Sequence, residues 1–399
     1  MIEQGVAITG MGIISSIGTT VEENLHALVS SKKGIAPIVH IHTRHKDTIK
    51  VGEVLQTNEE LAAQLNLPTD NNYSRTALLG CIAAKQAMAN ANSTDVEKYR
   101  TGLISATSVG GMDMTEKHSA NFLSNTESQK YITSHHAGDS TQKIASQLGI
   151  TDFTTTISTA CSSAANAIML GARLIKAGKL DRVVVGGTDC LSKFTINGFN
   201  TLLILSDTDC KPFDADRKGL NLGEAAAYLV LESDAIVSEQ NKEVLAYVSG
   251  YANANDAFHQ TASSSNGEGA FLAMQKALQV AKLQPAQIDY INVHGTATAN
   301  NDASEGAAIR RIFGDHIPDF SSTKAFTGHT LAAAGAIEAV YSVLTLQHNT
   351  LFPNLNFSTP IPALDMKPIT QVQKKPVQHV LSNSFGFGGN CSTLIFSKN

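Results

Sequence analysis

The stretch Thr154-Thr155-Thr156-Ile157-Ser158-Thr159-Ala160-Cys161-Ser162-Ser163-Ala164-Ala165 changes character in its middle. Residues 154–157 are β-prone, and from Ser162 the chain turns Ala-rich and helical as far as Ala177, with Gly178 placed to cap the end. Val183-Val184-Val185-Gly186-Gly187 follows, a short continuous apolar run that suits a strand buried on both faces. Strand, helix and strand in succession predict α/β layers. The alternation continues outward. Val6-Ala7-Ile8-Thr9-Gly10, Leu103-Ile104-Ser105 and Tyr290-Ile291-Asn292-Val293 read as strands; Ser74 to Asn90 and Leu331 to Leu346 read as helices. Leu220 to Glu232 reads as a strand, Ser233 to Gln240 as a connector, and Val244 to Gly250 as a fresh strand. The boundary between two halves is therefore placed at 1–242 and 243–399.

Composition narrows the class. The 399 residues are 42% hydrophobic, which excludes a disordered chain. Only 16% are charged, against about 25% in ordinary soluble domains, and this predicts a large core with a broad subunit interface. The net charge of −5 and the lack of a long basic run argue against nucleic acid. No apolar stretch reaches 18 residues, so no membrane span is expected. Five scattered cysteines without a CxxC pair, and residues 1–5 without a signal-peptide pattern, lead to a cytoplasmic expectation. Asn92-Ser93-Thr94 matches a glycosylation sequon that would have no use there.

Four motifs carry candidate chemistry. Cys161 lies where a strand runs into a helix, at the positive end of the helix dipole, which favours thiolate. Its small neighbours leave room for a substrate. Taken alone, a free cysteine is more often an inert core residue. His294, in Val293-His294-Gly295-Thr296-Ala297-Thr298, ends a strand where ligands gather in α/β sheets. Lys324 and His329 stand five apart in Ser322-Thr323-Lys324-Ala325-Phe326-Thr327-Gly328-His329, ahead of a helix carrying Glu338. Asn383-Ser384-Phe385-Gly386-Phe387-Gly388-Gly389-Asn390 is dense enough in glycine to aim backbone N–H groups at a substrate oxygen. A thiol with two Gly-flanked histidines suggests one acyl-transfer site. Other features carry less. Gly10-Met11-Gly12-Ile13-Ile14-Ser15 lacks the third glycine of a dinucleotide fingerprint. His40, His42, His45 and the His135-His136 pair have no zinc-spaced partners and read as loop histidines.

Together and in this order, the motifs Thr-Ala-Cys-Ser-Ser, His-Gly-Thr-Ala-Thr, Thr-Lys-Ala-Phe-Thr-Gly-His and Asn-Ser-Phe-Gly-Phe-Gly-Gly resemble the β-ketoacyl-[acyl carrier protein] synthases of type II fatty acid and polyketide synthesis. The similarity spans nearly the whole chain. It implies a thiolase-like α-β-α-β-α fold of two similar halves, each a mixed five-stranded sheet, and a homodimer or a heterodimer with a related chain-length subunit. The N-terminal half would carry the nucleophile, the C-terminal half both histidines and the glycine-rich loop. By position, Cys161 resembles the acylated nucleophile, and His294 and His329 the pair that drives malonyl decarboxylation. Lys324 resembles the lysine beside them and Glu338 its charge partner. The N–H groups of Cys161 and Phe387 match the oxyanion hole, and Thr296 and Thr298 the residues that bond the phosphopantetheine arm. The remaining substrate-contact positions are Phe385, Val109 (acyl-pocket depth) and Asp256 (a second mobile loop). The arm arrives on the acyl carrier protein, so neither a metal nor a resident cofactor is expected.

Thiolases share the fold but use a second cysteine near the C-terminus, and initiating synthases use Cys-His-Asn; His329 points to the elongating class. The chain departs from the family pattern at Gly389-Asn390-Cys391 (usually Gly-Thr-Asn), at Glu224-Ala225-Ala226-Ala227, in a short 206–214 segment, and at Asp70 to Arg75, which lacks carrier-facing lysines. These departures suggest a specialised polyketide or polyene pathway. A non-condensing chain-length subunit and a thiolase-type acyltransferase stand as the alternatives.

Overall fold

The computed structural model describes residues 5–93 and 95–398. The expectations for Met1 to Gln4 and for Thr94 of the sequon lie outside them. Ten strands form one mixed sheet: β1 Val6–Ser15, β2 Thr101–Ala106, β3 Phe153–Ile157, β4 Arg182–Asp189, β5 Ala225–Glu232, β6 Ala246–Asn255, β7 Tyr290–Asn292, β8 Asp319–Ser321, β9 His379–Gly386 and β10 Asn390–Ser397. Their spatial order is β8-β7-β9-β10-β6-β1-β5-β4-β2-β3. Read outward from the middle, the order is 1-5-4-2-3 on one side and 6-10-9-7-8 on the other. Each side runs antiparallel, antiparallel, parallel, parallel. The second five strands thus repeat the first.

The two groups of five strands are joined. They meet edge to edge, because Val6, Ala7 and Ile8 of β1 pair with Val248, Tyr247 and Ala246 of β6. The central edges are mutually satisfied rather than left as open templates.

Helices complete the layers: α1 Arg75–Asn90, α2 Ala137–Leu148, α3 Ser163–Lys176, α4 Lys193–Thr201, α5 Asp234–Gln240, α6 Glu268–Ala281, α7 Ala299–Phe313, α8 Lys324–Thr327 and α9 Ala334–His348. α1 covers β1, β5 and β4 from outside, with α2 beside it; α6 covers β6 and β10, with α7 beside it. α3 and α9 touch each other and both groups of strands. They form the middle layer of a thiolase-like five-layer fold. α9 is buried along nearly its whole length, which explains why it is apolar on all sides.

The Gly10-Met11-Gly12 segment has a packing role. A Cβ on Gly10 would lie 2.4 Å from the carbonyl oxygen of Ala87, and one on Gly12 2.1 Å from that of Ala83. The glycines let α1 rest directly on β1.

Three local expectations are corrected. Residues 234–240 form helix α5, not an irregular connector, because Asp234 favours the first turn and Ile236 is buried beneath it. Regular pairing in β5 begins at Ala225, since Leu220 and Leu222 make only single bridges to Leu205 and His329. Residues 331–333 are a 3-10 turn before α9 begins at Ala334.

Glu224 and Arg75, both within departures from the family pattern, form a buried ion pair at 2.7 Å. No helix among the described residues is long and apolar enough to cross a membrane. Among them, no group of three or more His, Cys, Asp or Glu is disposed to hold a metal ion.

Candidate active site

β3 stops at Ile157, and the chain reaches α3 through a turn in which Ala160 has φ 52°. A residue with a Cβ is held there only when its surroundings dictate the conformation. Cys161 follows immediately, 5% exposed. In the other half, His294 lies just beyond β7, Lys324 opens α8, and His329 follows Gly328. Cys161, His294 and His329 line one cavity of about 320 Å³. The two imidazole rings meet edge to face, with centroids 5.4 Å apart.

Burial sets the charges. It holds both histidines well below the ordinary imidazole range, and the Lys324 ammonium lowers both further. The pair is uncharged at neutral pH. Lys324 Nζ pairs with Glu338 and lies 3.4 Å from His294 Nδ1. An ammonium has only protons to give, so Nδ1 is the acceptor there and the ring proton of neutral His294 sits on Nε2. The carboxyl of Glu338 is itself raised by burial, against the opposing pull of Lys324. His329 is fixed through its backbone, its N–H donating to Asn221 O at 2.7 Å and its carbonyl accepting from Gly223 N at 2.9 Å.

The expected thiolate is overturned. Burial pushes the Cys161 thiol up to about 12, although Lys324 draws it down. A helix N-terminus contributes only ~1 kcal/mol, whereas desolvation of a fully buried group shifts its pKa by up to roughly 3–5 units. Cys161 is a thiol at rest.

The third wall is a hairpin. β9 and β10 are joined by Phe387, Gly388 and Gly389, with Gly386 opposite Asn390. Gly388 and Gly389 have φ 81° and 78°. Gly386 is pressed against the Cys161 turn, where a Cβ would lie 2.6 Å from Thr159 O and 3.2 Å from Cys161 N. Phe385 and Phe387 line the cavity. The Phe385 ring is 5.6 Å from that of His294, and the Phe387 ring stacks at 5.8 Å on Phe199, which follows β4 in α4.

Thr296 and Thr298 also line the cavity, with their hydroxyls 2.9 Å apart. Two expected positions fall elsewhere. Val109 packs against the apolar cluster of Leu191, Ile196 and Leu220, and its N–H reaches Asp189 at 3.3 Å. Asp256 lies beneath the hairpin, where its N–H donates to Gly389 O and its carboxylate accepts from Ser264 and Gly269. Neither borders the cavity.

This arrangement places a cysteine thiol, two neutral imidazoles and a close-packed glycine turn around one space. Models of the two halves of the β-ketoacyl synthase family match the chain, the N-terminal domain over residues 3–235 and the C-terminal domain over 245–358. The chain belongs to the β-ketoacyl synthase family. It is accordingly a condensing enzyme of the acyltransferase class. It is 31% identical to 3-oxoacyl-[acyl-carrier-protein] synthase 2 of Coxiella burnetii, over all of this chain and 99% of that one. Among solved structures it is similar to the ishigamide ketosynthase/chain length factor, with TM-score 0.92 and 29% identity over 99% of each chain. It also resembles the ketosynthase ApeO in complex with its chain length factor ApeC from Xenorhabdus doucetiae. There the TM-score is 0.87 and the identity 33%, over 99% of this chain and 98% of that one.

Several supports of this synthase site escape sequence reasoning. Glu305, buried in α7, accepts from the N–H groups of His294 and Gly295 at 2.8 Å each and from Asn383 at 3.1 Å. Burial raises its carboxyl to about 7. Its only signal in the sequence is an acidic residue within the first two turns of the helix after His-Gly-Thr-Ala-Thr. Asp189 receives the N–H groups of Ser108, Val109 and Ala332, which ties the turn after β2 to the start of α9. Arg217 donates to the carbonyls of Thr298 and Ala299 at 3.0 and 2.7 Å, fixing the threonine loop.

Proposed function

We propose that the chain is an elongating 3-oxoacyl-[acyl carrier protein] synthase that joins an acyl group on Cys161 to a malonyl unit with loss of CO₂. The observation that carries this reading is the single cavity lined by Cys161 and two uncharged histidines. The thiol gives up its proton as it attacks the acyl thioester, and the departing carrier thiolate takes one up. The N–H groups of Cys161 and Phe387 hold the oxyanion. A malonyl carrier then enters, its phosphopantetheine arm lying along Thr296 and Thr298. Cleavage of the carboxyl C–C bond releases CO₂ and leaves an enolate, whose oxygen accepts hydrogen bonds from His294 and His329. Lys324 and Glu338 keep His294 in the donor form. The enolate carbon attacks the acyl carbonyl, the bond to sulfur breaks, and the Cys161 thiolate is reprotonated. Every step is acid–base or acyl chemistry and calls on no metal or redox group.

The partner is an acyl carrier protein, and the quaternary form is a homodimer or a pair with a related chain-length subunit, in the cytoplasm. Likeness to two ketosynthase/chain length factor structures supports the paired form. Asn390-Cys391 in the loop and the use of Arg75 inside the fold support a specialised polyketide or polyene product. The intact Cys161 argues against a non-condensing subunit.

Replacing Cys161 with Ala is expected to lower condensation of acyl carrier with malonyl carrier by at least ~10³-fold. Retained condensation would refute the assignment. Condensation of two acetyl thioesters without malonyl would favour a thiolase instead.

A further inference from the structure

The two N–H groups assigned to the oxyanion come from different halves of the molecule. One belongs to the turn before α3, the other to the β9–β10 hairpin. Asn390, the first residue of β10, bonds from the hairpin's end to the other segment. Its side-chain oxygen accepts from Ser162 Oγ at 2.7 Å, Asn166 Nδ2 at 3.0 Å and Asn253 Nδ2 at 2.7 Å. Ser162 Oγ also lies 2.7 Å from Thr159 O, and Asn166 Nδ2 lies 2.8 Å from Thr159 Oγ1. Asn166 Oδ1 closes the network by accepting from Ser392 Oγ at 2.8 Å and Asn253 Nδ2 at 3.1 Å.

One side chain thus joins the nucleophile's turn, α3, β6 and the end of the hairpin. The turn needs such a hold, because Ala160 at φ 52° is not a conformation it adopts unaided. The hairpin needs it too. Gly386 approaches Thr159 and Cys161 so closely that a small slide of one segment displaces one donor against the other. An oxyanion is stabilised only when both donors sit within about 2.7–3.1 Å of its position.

We propose that Asn390 is a positioning residue that fixes the N–H groups of Cys161 and Phe387 relative to each other through Ser162 and Asn166. It touches no reacting atom. Its acceptor oxygen carries the role, and its volume does not. The inference rests on the condensing function proposed above.

The test uses the full chain with N390L, N390A and N390D, read in two half-reactions. Acylation of Cys161 is followed by intact mass, using whichever of a C2 to C12 series of acyl carrier thioesters the unaltered protein takes up fastest. Decarboxylation is followed as CO₂ released from malonyl carrier, a step that leans on the imidazoles. N390L is expected to slow acylation at saturating donor at least about tenfold, with KM within about twofold and CO₂ release within about threefold. N390A should behave alike and decides the matter if N390L does not fold. N390D keeps the acceptor and should acylate within about threefold of the parent. Acylation at the parent rate in N390L and N390A overturns the proposal. So does parallel loss of both half-reactions with a lowered Tm, or N390D as slow as N390L. A parent protein that takes up no acyl group refutes the condensing function itself, which is a separate result.

Discussion

The two halves share one strand order, but they differ in what joins their equivalent strands. In the first half β4 and β5 are separated by residues 190–224, which include α4 with Phe199, the exposed Leu202 and Leu203, and Arg217. In the second half the equivalent β9 and β10 are separated by Phe387, Gly388 and Gly389 alone. Residues of the long connection line the cavity, and the short one follows Gly386, which presses onto the Cys161 turn. The same asymmetry appears after the other strands. The turn after β3 delivers Cys161, while the equivalent turn after β8 delivers Lys324 and His329. The turn after β2 delivers only the packed Val109, while its equivalent after β7 delivers His294. A repeated scaffold therefore carries an unrepeated site: the first half supplies the cysteine, the second half the two imidazoles.

That division is most exposed to a change in the second half. Replacing His329 with Ala is expected to cut CO₂ release from malonyl carrier by ~10²–10⁴-fold, with a smaller loss in acylation of Cys161. Equal loss in both steps would break the comparison. Next in size is the response to pH. With the thiol raised to about 12 by burial, its thiolate fraction grows tenfold per pH unit throughout the range from 7 to 10. Alkylation of Cys161 by iodoacetamide should climb without levelling off at the ordinary thiol value, whereas in denaturant it levels off near that value. A plateau near pH 7 in the folded protein would restore the dipole-activated thiolate. The histidines move the other way. Their folded pKa is lowered, so CO₂ release should stay flat through pH 6.5 and decline only in more acid solution. The stability tied to their neutral form is present above 6.5 and is lost as pH falls below it.

How much of this is legible in the sequence follows from which interactions are local. The strand at 183–187, the helix at 74–90 and the Cys161 turn are written in contiguous residues, and the structure places them there. Cys161, His294 and His329, which line the cavity, carry Gly and small neighbours that mark them. Glu305 and Asp189 leave no such mark, because their partners meet them only in the folded molecule, and Asn390 is marked only as a departure after Gly388-Gly389. The protonation state of Cys161 misleads for the same reason. The helix start that favours thiolate is visible in sequence, while the burial that outweighs it is a property of the packed molecule. Val109 stands behind the lining, packed with Leu220, which itself borders the cavity.

The smallest expected effect tests a contact that joins the long connection to the short one. Phe199 stacks on Phe387 at 5.8 Å with 26° between the ring planes. Both rings line the cavity, and both are only half-buried. Such a pair contributes about 0.5–1.5 kcal/mol beyond its area burial, so Phe199→Ala is expected to change the acylation rate by at most about tenfold. The sign is informative. If the stack holds Phe387 where its N–H serves the oxyanion, the variant slows acylation by short and long acyl donors alike. If the stack instead closes the cavity against long chains, the variant speeds long donors relative to short ones. A uniform loss therefore assigns the long connection a share in building the site, whereas a length-dependent gain makes it a gate laid over a site that the second half completes by itself.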